Sequence, residues 1–130
     1  MIVLDTNVFS DTYFCKWLAR SNHEAIVSSI SYTELAYHYL KRGKDIDYLD
    51  NFLQSLGIKV VEYTREQAKI AAKLSTKRWD FRKNARDYMI ASIAIKEDCP
   101  LITYNVNDFA FLHKNKLFTP EDFIKEQEGK

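Results

Sequence analysis

The sequence predicts an α/β protein: a single domain over residues 1–130, with a short, mostly parallel central sheet flanked by helices. Two observations predict this class. Short apolar runs, several of them rich in β-branched residues, alternate along the chain with stretches in which apolar residues recur at the helical period. Alternation of this kind is typical of parallel β-α-β units. The length of 130 residues is enough for one core and too small for two.

The strands are predicted from the apolar runs and the helices from the stretches between them. Strands are expected over residues 2–4, 26–28, 58–62 and 101–103, and residues 117–118 form a further short apolar pair. Gly43 and Gly57 suit helix ends, Thr64 and Gln67 have the spacing of a capping box, and Pro120 suits a first helical position. Helices are expected over residues 8–19, 31–41, 46–56, 64–78, 85–97 and 107–113, and a last one begins at Thr119.

Composition excludes several classes of protein. The chain is 46% apolar and 28% charged, which is typical of a globular domain and unlike a disordered chain. No apolar run approaches the ~18 residues of a membrane span, and no basic segment precedes the first apolar run, as a signal peptide would require. The two cysteines, Cys15 and Cys99, form no metal or disulfide pattern. We therefore expect a cytoplasmic protein without a membrane partner.

Four acidic residues occupy matching places in this pattern. Asp5 follows the first predicted strand, and Asp108 lies just after the fourth. Glu34 and Asp87 fall in the first turns of two predicted helices. Ligands of parallel sheets bind at the carboxyl ends of the strands, so these positions predict a shared acidic site at that edge.

Each acid taken singly has a simpler interpretation. Glu34, Asp87 and Asp108 each stand three residues after a Ser or Asn, which is the spacing of a capping box. Acids in the first turn of a helix are also favoured by the helix dipole. Asp5 alone would be an ordinary turn residue. These interpretations remain open for the single residues.

Asp87 fits the capping interpretation least well. The helical period places it on the face that carries Ile90, Ala91 and Ala94, and a carboxylate at the end of a buried face is costly without a partner. Two carboxylates ~6 Å apart repel by roughly 3 kcal/mol at an effective dielectric constant of ~20, whereas one cap returns only ~1 kcal/mol. If the four acids converge, a cation is expected among them. Oxygen ligands select Mg²⁺ or Mn²⁺, and four nearby polar residues would support such a site: Thr6, Asn7, Thr103 and Asn105.

A basic segment lies between residues 73 and 86, with only Asp80 opposing it. Its plain interpretation is a solvated helix face. Because the segment leads directly to Asp87, a phosphate-binding rim is the alternative. Trp79, Phe81 or Tyr88 would stack on single-stranded bases in that case, although core packing also explains aromatic residues. The candidate RNA-binding residues are Lys77, Arg78, Arg82, Lys83 and Arg86.

Four segments carry a family resemblance, and this resemblance extends over essentially the whole chain. They are Leu4-Asp5-Thr6-Asn7, Ser31-x-x-Glu34, Arg86-Asp87-Tyr88-Met89-Ile90 and Thr103-Tyr104-Asn105-Val106-Asn107-Asp108. In this order they resemble the motifs of PIN-domain ribonucleases, and most closely those of VapC-type toxins of toxin–antitoxin modules. The fold class is accordingly expected to be a single PIN-like nuclease domain.

The resemblance implies an activity, a cofactor and partners. It implies an Mg²⁺- or Mn²⁺-dependent endoribonuclease that hydrolyses RNA phosphodiester bonds, and it makes this chain the toxin of a type II pair. It also implies a cognate antitoxin and a homodimer. The catalytic and metal-binding residues would be Asp5, Glu34, Asp87 and Asp108, and the supporting residues Thr6, Asn7, Thr103 and Asn105.

Other functions remain open at this point. One is a PIN nuclease of RNA maturation or decay without an antitoxin, and another is a non-catalytic PIN-like module that binds RNA or protein. A receiver-like domain is disfavoured because no Lys occurs between residues 103 and 108. A haloacid-dehalogenase-like phosphatase would need an acid where Asn7 stands.

Overall fold

The sheet forms from five short, largely apolar strands. The structure, a computed structural model, describes residues 1–129; Lys130, the last residue of the predicted domain, lies outside them. All strand pairs are parallel, in the order β3-β2-β1-β4-β5. This confirms the predicted α/β class. The strands are β1 (Ile2–Leu4), β2 (Ala25–Ser28), β3 (Ile58–Val61), β4 (Leu101–Ile102) and β5 (Leu117–Phe118).

The α-helices follow the strands and cover both faces of the sheet. No helix within residues 1–129 is long and apolar enough to cross a membrane. The helices are α1 (Thr12–Arg20), α2 (Ser29–Lys41), α3 (Ile46–Ser55), α4 (Arg65–Ser75), α5 (Phe81–Lys96) and α6 (Pro120–Glu128). Short 3₁₀ helices cover Thr6–Ser10, Val106–Phe109 and Lys114–Lys116.

Alternating residues of the strands build two cores. Ile2 and Leu4 of β1 face a cluster made with α1, α2, α3 and α6, whereas Val3 faces a cluster made with α4 and α5. This division follows from the strand period, which sends successive side chains to opposite faces. Ile90 and Ile93 of α5 are fully buried in the second cluster. The fold thus fixes α5 firmly against one face of the sheet.

The strand order places a crevice at the carboxyl end of β1. The chain moves from β1 through β2 to β3 on one side, then crosses through α4 and α5 to β4 on the other side of β1. The order therefore reverses between β1 and β4, and such a reversal opens a ligand crevice in doubly wound sheets. Asp5 and Thr103 are the residues that directly follow these two strands.

Several predicted boundaries are wrong. The helix expected from residue 8 begins at Thr12, because Thr6–Ser10 is a 3₁₀ helix and Asp11 caps α1 by accepting from the Phe14 amide at 2.9 Å. The helix expected from residue 31 begins at Ser29, and the helix expected at residues 107–113 is only the 3₁₀ helix Val106–Phe109.

Two further helix ends also differ from the prediction. The helix expected to reach residue 78 ends at Ser75. The helix expected from residue 85 begins at Phe81, and its backbone departs from helical geometry at Asn84. The predicted start of α6 is confirmed, since Pro120 is its first residue. The capping box predicted at α4 is half formed: Thr64 accepts from the Gln67 amide, but Gln67 Oε1 accepts no hydrogen bond from the described residues.

The packing of α5 gives a stability prediction. Ile93→Ala should lower the free energy of unfolding by roughly 2–5 kcal/mol, because the side chain is fully buried against the sheet. The matched variant Ile95→Ala, two residues on and 39% exposed, should cost less than about 1 kcal/mol. Chemical denaturation followed by circular dichroism measures both values. Equal losses would contradict the packing of α5 described here.

Candidate active site

The site is built at the carboxyl end of β1. Asp5 follows that strand, and its backbone amide donates to the Ile102 carbonyl of β4 at 3.0 Å. Its side chain is 1% exposed. A carboxylate buried to this degree needs several hydrogen bonds to offset the loss of water. Asp5 Oδ1 accepts from the Thr6 amide at 2.7 Å, and Oδ2 accepts from the Thr103 hydroxyl at 2.8 Å.

Three of the four predicted acids converge on the guanidinium of Arg86. Its Nη2 donates to Asp5 Oδ1 at 2.6 Å and to Glu34 Oε1 at 2.7 Å, and its Nη1 donates to Asp87 Oδ1 at 3.1 Å. Asp5 comes from β1, Glu34 from α2, and Arg86 and Asp87 from α5. A cation thus lies among these three acids as a side chain of the chain itself, and the Mg²⁺ or Mn²⁺ expected there stays a prediction.

Arg86 differs from its expected place on a phosphate-binding rim. In this structure its guanidinium lies within the acidic centre, and the role that it has there was missed at the sequence level. The signal available was its position directly before Asp87 in a segment that reads equally well as a solvated helix face. The acidic centre and the solvated helix face differ only in the direction of the Arg86 side chain, and the sequence does not give that direction.

Glu34 is the acid most closely held by Arg86. Arg86 Nε donates to Oε1 at 3.0 Å and Oε2 at 2.9 Å, in addition to the bond from Nη2. The Thr6 hydroxyl donates to Oε1 at 2.7 Å. Burial favours a higher pKa of Glu34, but the hydrogen bonds from Arg86 and Thr6 outweigh it and lower the pKa below its usual value. Glu34 is therefore an anion at neutral pH.

Asp87 is in the opposite situation. Burial raises its pKa, the bond and charge of Arg86 oppose the rise, and the charges of Asp108 and Asp5 add to it. The net pKa of Asp87 lies above its usual value, as expected for an incompletely compensated carboxylate. The predicted buried face below it is present, since Ile90, Ala91 and Ala94 are at most 4% exposed.

The predicted supporting residues lie around Asp5. The Thr103 hydroxyl, fully buried, donates to Asp5 and accepts from the Asn105 amide at 3.0 Å. The Asn7 side chain donates to the same hydroxyl at 3.4 Å and accepts from the Tyr104 amide at 3.2 Å. These bonds join the segments that follow β1 and β4 and hold Asp5 in one orientation.

Asp108 lies apart from the other three acids. Within residues 1–129 its side chain forms no hydrogen bond or ion pair with them, and it is exposed. Its charge is near enough to raise the pKa of Asp87. It lines a neighbouring depression with Arg78, Lys83 and Tyr88. The structure thus brings together three of the four predicted acids and leaves the fourth beside basic residues.

The capping interpretations are not supported at these acids. Ser28, not Ser31, caps α2 by accepting from the Ile30 amide at 3.0 Å, so Glu34 lies beyond the first turn. Asn84 donates to Asp80 at 2.8 Å, and Asn105 forms no side-chain cap. Glu34 and Asp87 therefore stand where no cap of their own helix requires them, whereas Asp108 lies in the first turn of the 3₁₀ helix Val106–Phe109, as the simpler interpretation allows.

The exposed aromatic residues are distributed differently from the prediction. Tyr88 is 1% exposed and donates to Asp80, so it is a core residue and not a base-stacking candidate. Trp79 is 96% exposed and lies in the turn between α4 and α5, and Phe81, the first residue of α5, is 45% exposed. Lys77, Arg78, Arg82 and Lys83 are exposed as well. This turn is taken to include the first residues of α5, over residues 76–83.

A cavity of about 660 Å³ opens beside the three acids. The acids, Thr6, Asn7 and Arg86 form one side of it. The other side is largely apolar and comes from the 3₁₀ helix after β1 and from α2 and α3: Phe9, Leu35, Tyr39, Leu49 and Phe52, with His38 and Arg42 at the rim. The acids are thus reached through a mixed apolar and charged opening.

The donor set fits a hard divalent cation in chemistry and charge. Its ligands would be oxygens only, as Mg²⁺ and Mn²⁺ prefer. Three carboxylates against one guanidinium leave two negative charges uncompensated. Within residues 1–129, no three His, Cys, Asp or Glu side chains are arranged to hold a metal ion together. Arg86 accounts for this, because it lies between the carboxylates.

The PIN domain model matches residues 2–114 of the chain. The chain belongs to the PIN domain family. Members of this family are generally nucleases, which makes a hydrolase acting on nucleic acids the general expectation for a PIN chain with acids at this edge. None of the curated proteins matches the chain.

Three solved structures are similar to this PIN chain over more than nine-tenths of its length. A toxin–antitoxin complex from Klebsiella pneumoniae has 21% identity and a TM-score of 0.74, covering 92% of this chain and 98% of that one. FitAcB from Neisseria gonorrhoeae has 21% sequence identity and a TM-score of 0.73, and the match covers 92% of this chain and 98% of that one. VapBC2 from Rickettsia felis, bound to a promoter DNA fragment, has 25% sequence identity and a TM-score of 0.67, and the match covers 91% of this chain and 97% of that one. At 21% identity the first two show the fold alone.

The bond between Thr103 and Asp5 gives a prediction for the site. Thr103→Val keeps the shape but leaves a buried carboxylate oxygen without its donor, so the free energy of unfolding should fall by about 1–3 kcal/mol. Thr33→Val, at an exposed threonine that bonds only to its own helix, is the control and should change it by less than about 0.5 kcal/mol. Urea denaturation measures both. A Thr103 variant as stable as the control would show that the bond does not hold Asp5.

Proposed function

We propose that this PIN protein is a divalent-metal-dependent endoribonuclease and the toxin of a type II toxin–antitoxin pair. The observation that carries the proposal is the convergence of Asp5, Glu34 and Asp87 at the carboxyl end of the sheet, with two negative charges in excess of Arg86. In a family of nucleases, this is the place and the charge that a divalent cation requires.

The residues of the chain have distinct roles in the proposed reaction. Asp5 and Asp87 would hold the cation, with Asp108 beside them, because Asp5 is fixed by Thr103 and Asp87 has uncompensated charge. Mg²⁺ or Mn²⁺ supplies polarisation of the phosphate and activation of water for in-line hydrolysis. Glu34 holds Arg86, and Asn7 and Asn105 hold the loops that carry the carboxylates.

RNA is the proposed substrate because of the turn between α4 and α5. Lys77, Arg78, Arg82 and Lys83 give this turn a positive surface, and Trp79 offers an indole ring that is 96% exposed. Cations that contact phosphates and an aromatic ring that stacks on an unpaired base are the two components of single-strand recognition. Arg78 and Lys83 of this turn line a depression together with Asp108, the fourth of the predicted acids.

The proposed protein partners are a cognate antitoxin and a second copy of the chain. The similar solved structure from Klebsiella pneumoniae is a toxin–antitoxin complex, and the one from Rickettsia felis is VapBC2 bound to a promoter DNA fragment. The cavity beside the acids offers an apolar wall and a negative floor, which suits a segment with apolar and basic residues. Exposed Tyr37 and Tyr48 are candidates for either contact. The proposed site of action is the cytoplasm.

A non-catalytic nucleic-acid-binding module is the second candidate. The observation that favours it is the bonding of Arg86 to all three acids, which satisfies part of the charge without a metal. Titration with Mn²⁺ separates the two candidates. Absence of binding at millimolar Mn²⁺, together with intact RNA binding, would support the module and overturn the nuclease.

Asp5→Asn is the direct test of the nuclease. It should abolish cleavage of single-stranded RNA in the presence of Mg²⁺, because it removes a charge from the buried carboxylate at the centre of the site. Asp98→Asn, an exposed acid beyond the carboxyl end of α5, is the control and should cleave like the wild type. Gel analysis of a labelled RNA after purification to homogeneity gives the rates. Full activity of Asp5→Asn would refute the site.

The basic turn gives a separate prediction about RNA affinity. In the Asp5→Asn background, Arg82→Gln with Lys83→Gln should weaken binding of single-stranded RNA roughly tenfold and lower its salt dependence by about one phosphate contact per residue. Lys16→Gln with Arg20→Gln on α1, on the other face of the sheet, removes the same charge and is the control. Fluorescence anisotropy at several salt concentrations measures both. Equal losses of RNA affinity in the two double variants would show that the turn contributes only general positive charge.

A further inference from the structure

Arg86 makes the acidic site asymmetric, and the asymmetry has a consequence for metal binding. The three carboxylates share one guanidinium but give it very different numbers of bonds. Glu34 accepts three contacts from Arg86, whereas Asp5 and Asp87 accept one each. The side of the site that faces Glu34 is therefore already held by a cation of the chain.

Both oxygens of Glu34 are in contact with Arg86. A carboxylate presents about four lone-pair positions on its two oxygens. Oε1 is contacted by Arg86 Nε, Arg86 Nη2 and the Thr6 hydroxyl, and Oε2 is contacted by the same Arg86 Nε, whose single N–H is shared between the two oxygens. While these bonds persist, a metal ion would meet Glu34 only at the remaining position on Oε2, beside the guanidinium.

Asp5 and Asp87 keep free lone pairs. Asp5 Oδ2 accepts only the Thr103 hydroxyl among the residues described. Within residues 1–129 the side chain of Asp87 accepts a single hydrogen bond, from Arg86 to Oδ1, so its Oδ2 carries no partner. The carboxylate oxygens of the three acids that accept nothing from Arg86 thus lie on Asp5 and Asp87, whereas both oxygens of Glu34 contact it.

The charges divide in the same way. Arg86 and Glu34 form a neutral pair, and Asp5 and Asp87 together carry two negative charges. One divalent cation compensates these two charges. A second one beside Arg86 would add two positive charges next to a guanidinium, and Asp108, which lies apart, would compensate one of them at most.

We infer that Arg86 takes the place of a second metal ion, so that the site binds a single divalent cation on Asp5 and Asp87. This inference rests on the proposed function, and it deepens it by fixing the number of ions and the residues available to hold them. Glu34 then acts as a positioning residue, because it holds Arg86 and not the metal.

The test measures Mn²⁺ stoichiometry in the purified protein without RNA. Titration at neutral pH, with free Mn²⁺ followed by electron paramagnetic resonance, should give one ion per wild-type chain. Arg86→Gln should bind a second ion, or bind the first at least roughly tenfold more tightly, because a competing positive charge is removed. Arg82→Gln, which removes an exposed charge from the same helix, should keep one ion and the wild-type affinity.

A second readout follows from the repulsion among the acids. Without metal, Arg86→Gln should melt at a lower temperature than wild type, and Mn²⁺ should raise its melting temperature more than that of wild type. A purely structural role of Arg86 predicts the reverse: weaker Mn²⁺ binding and no larger metal-induced shift.

Two results would overturn the inference. One is two ions of similar affinity on the wild-type chain, which decides the matter even if Arg86→Gln does not fold. The other is an Arg86→Gln variant that folds and binds one ion no more tightly than wild type. In both cases, metal-dependent RNA cleavage by the wild type would leave the proposed function standing. Wild type without Mn²⁺ binding or cleavage would instead refute the proposed function.

Discussion

The ion pairs of one guanidinium with three carboxylates are the interaction on which this site depends. Asp5, Glu34 and Asp87 come from β1, α2 and α5, and each would repel the others if no cation lay among them. Arg86 contacts all three. Because Asp5 is almost fully buried, its carboxylate needs the hydrogen bonds that it accepts from Arg86, the Thr6 amide and the Thr103 hydroxyl. Arg86 therefore stabilises the approach of the three acids at this edge.

The sheet order explains why this interaction forms where it does. β1 is the central strand, and the chain crosses from one side of it to the other through α4 and α5. The crossing lays the apolar face of α5 against Val3, Ile26 and Leu101, which places Arg86 and Asp87 at the end of that face, above the carboxyl end of β1. Core packing thus places Arg86 at the carboxyl end of β1, and hydrogen bonds orient its guanidinium.

The sequence allowed the fold class, the strands and the acidic edge to be predicted, because each depends on local pattern. It did not allow the start of α2 to be predicted. Ser28, Ser29 and Ser31 are all acceptable caps by type, and the pairing of β2 with β3 as far as Ser28 and Val61 decides among them. The 3₁₀ helix after Asp5 was missed for a similar reason, since its residues suit a helix start and tertiary packing selects the geometry.

The position of the Arg86 side chain could not be predicted from the sequence, for another reason. A basic residue next to an acid at the start of an apolar helix is compatible with solvent, with a phosphate or with the acids themselves. The side chain is directed to the acids by its bonds to Asp5, Glu34 and Asp87, which come from β1, α2 and α5. Two of these acids are distant from Arg86 in sequence, so its direction follows only once the fold has placed them.

The arrangement of charges has a consequence for how a polyanion approaches. A phosphodiester is repelled by a site with two uncompensated negative charges, and it is attracted by the turn that carries Arg82 and Lys83. Without a divalent cation, RNA would therefore contact the basic turn and stay outside the acidic site. A cation on Asp5 and Asp87 removes that repulsion, while Arg86 remains with Glu34 at the edge of the site. In the proposed nuclease, substrate entry and metal binding would therefore be coupled through charge.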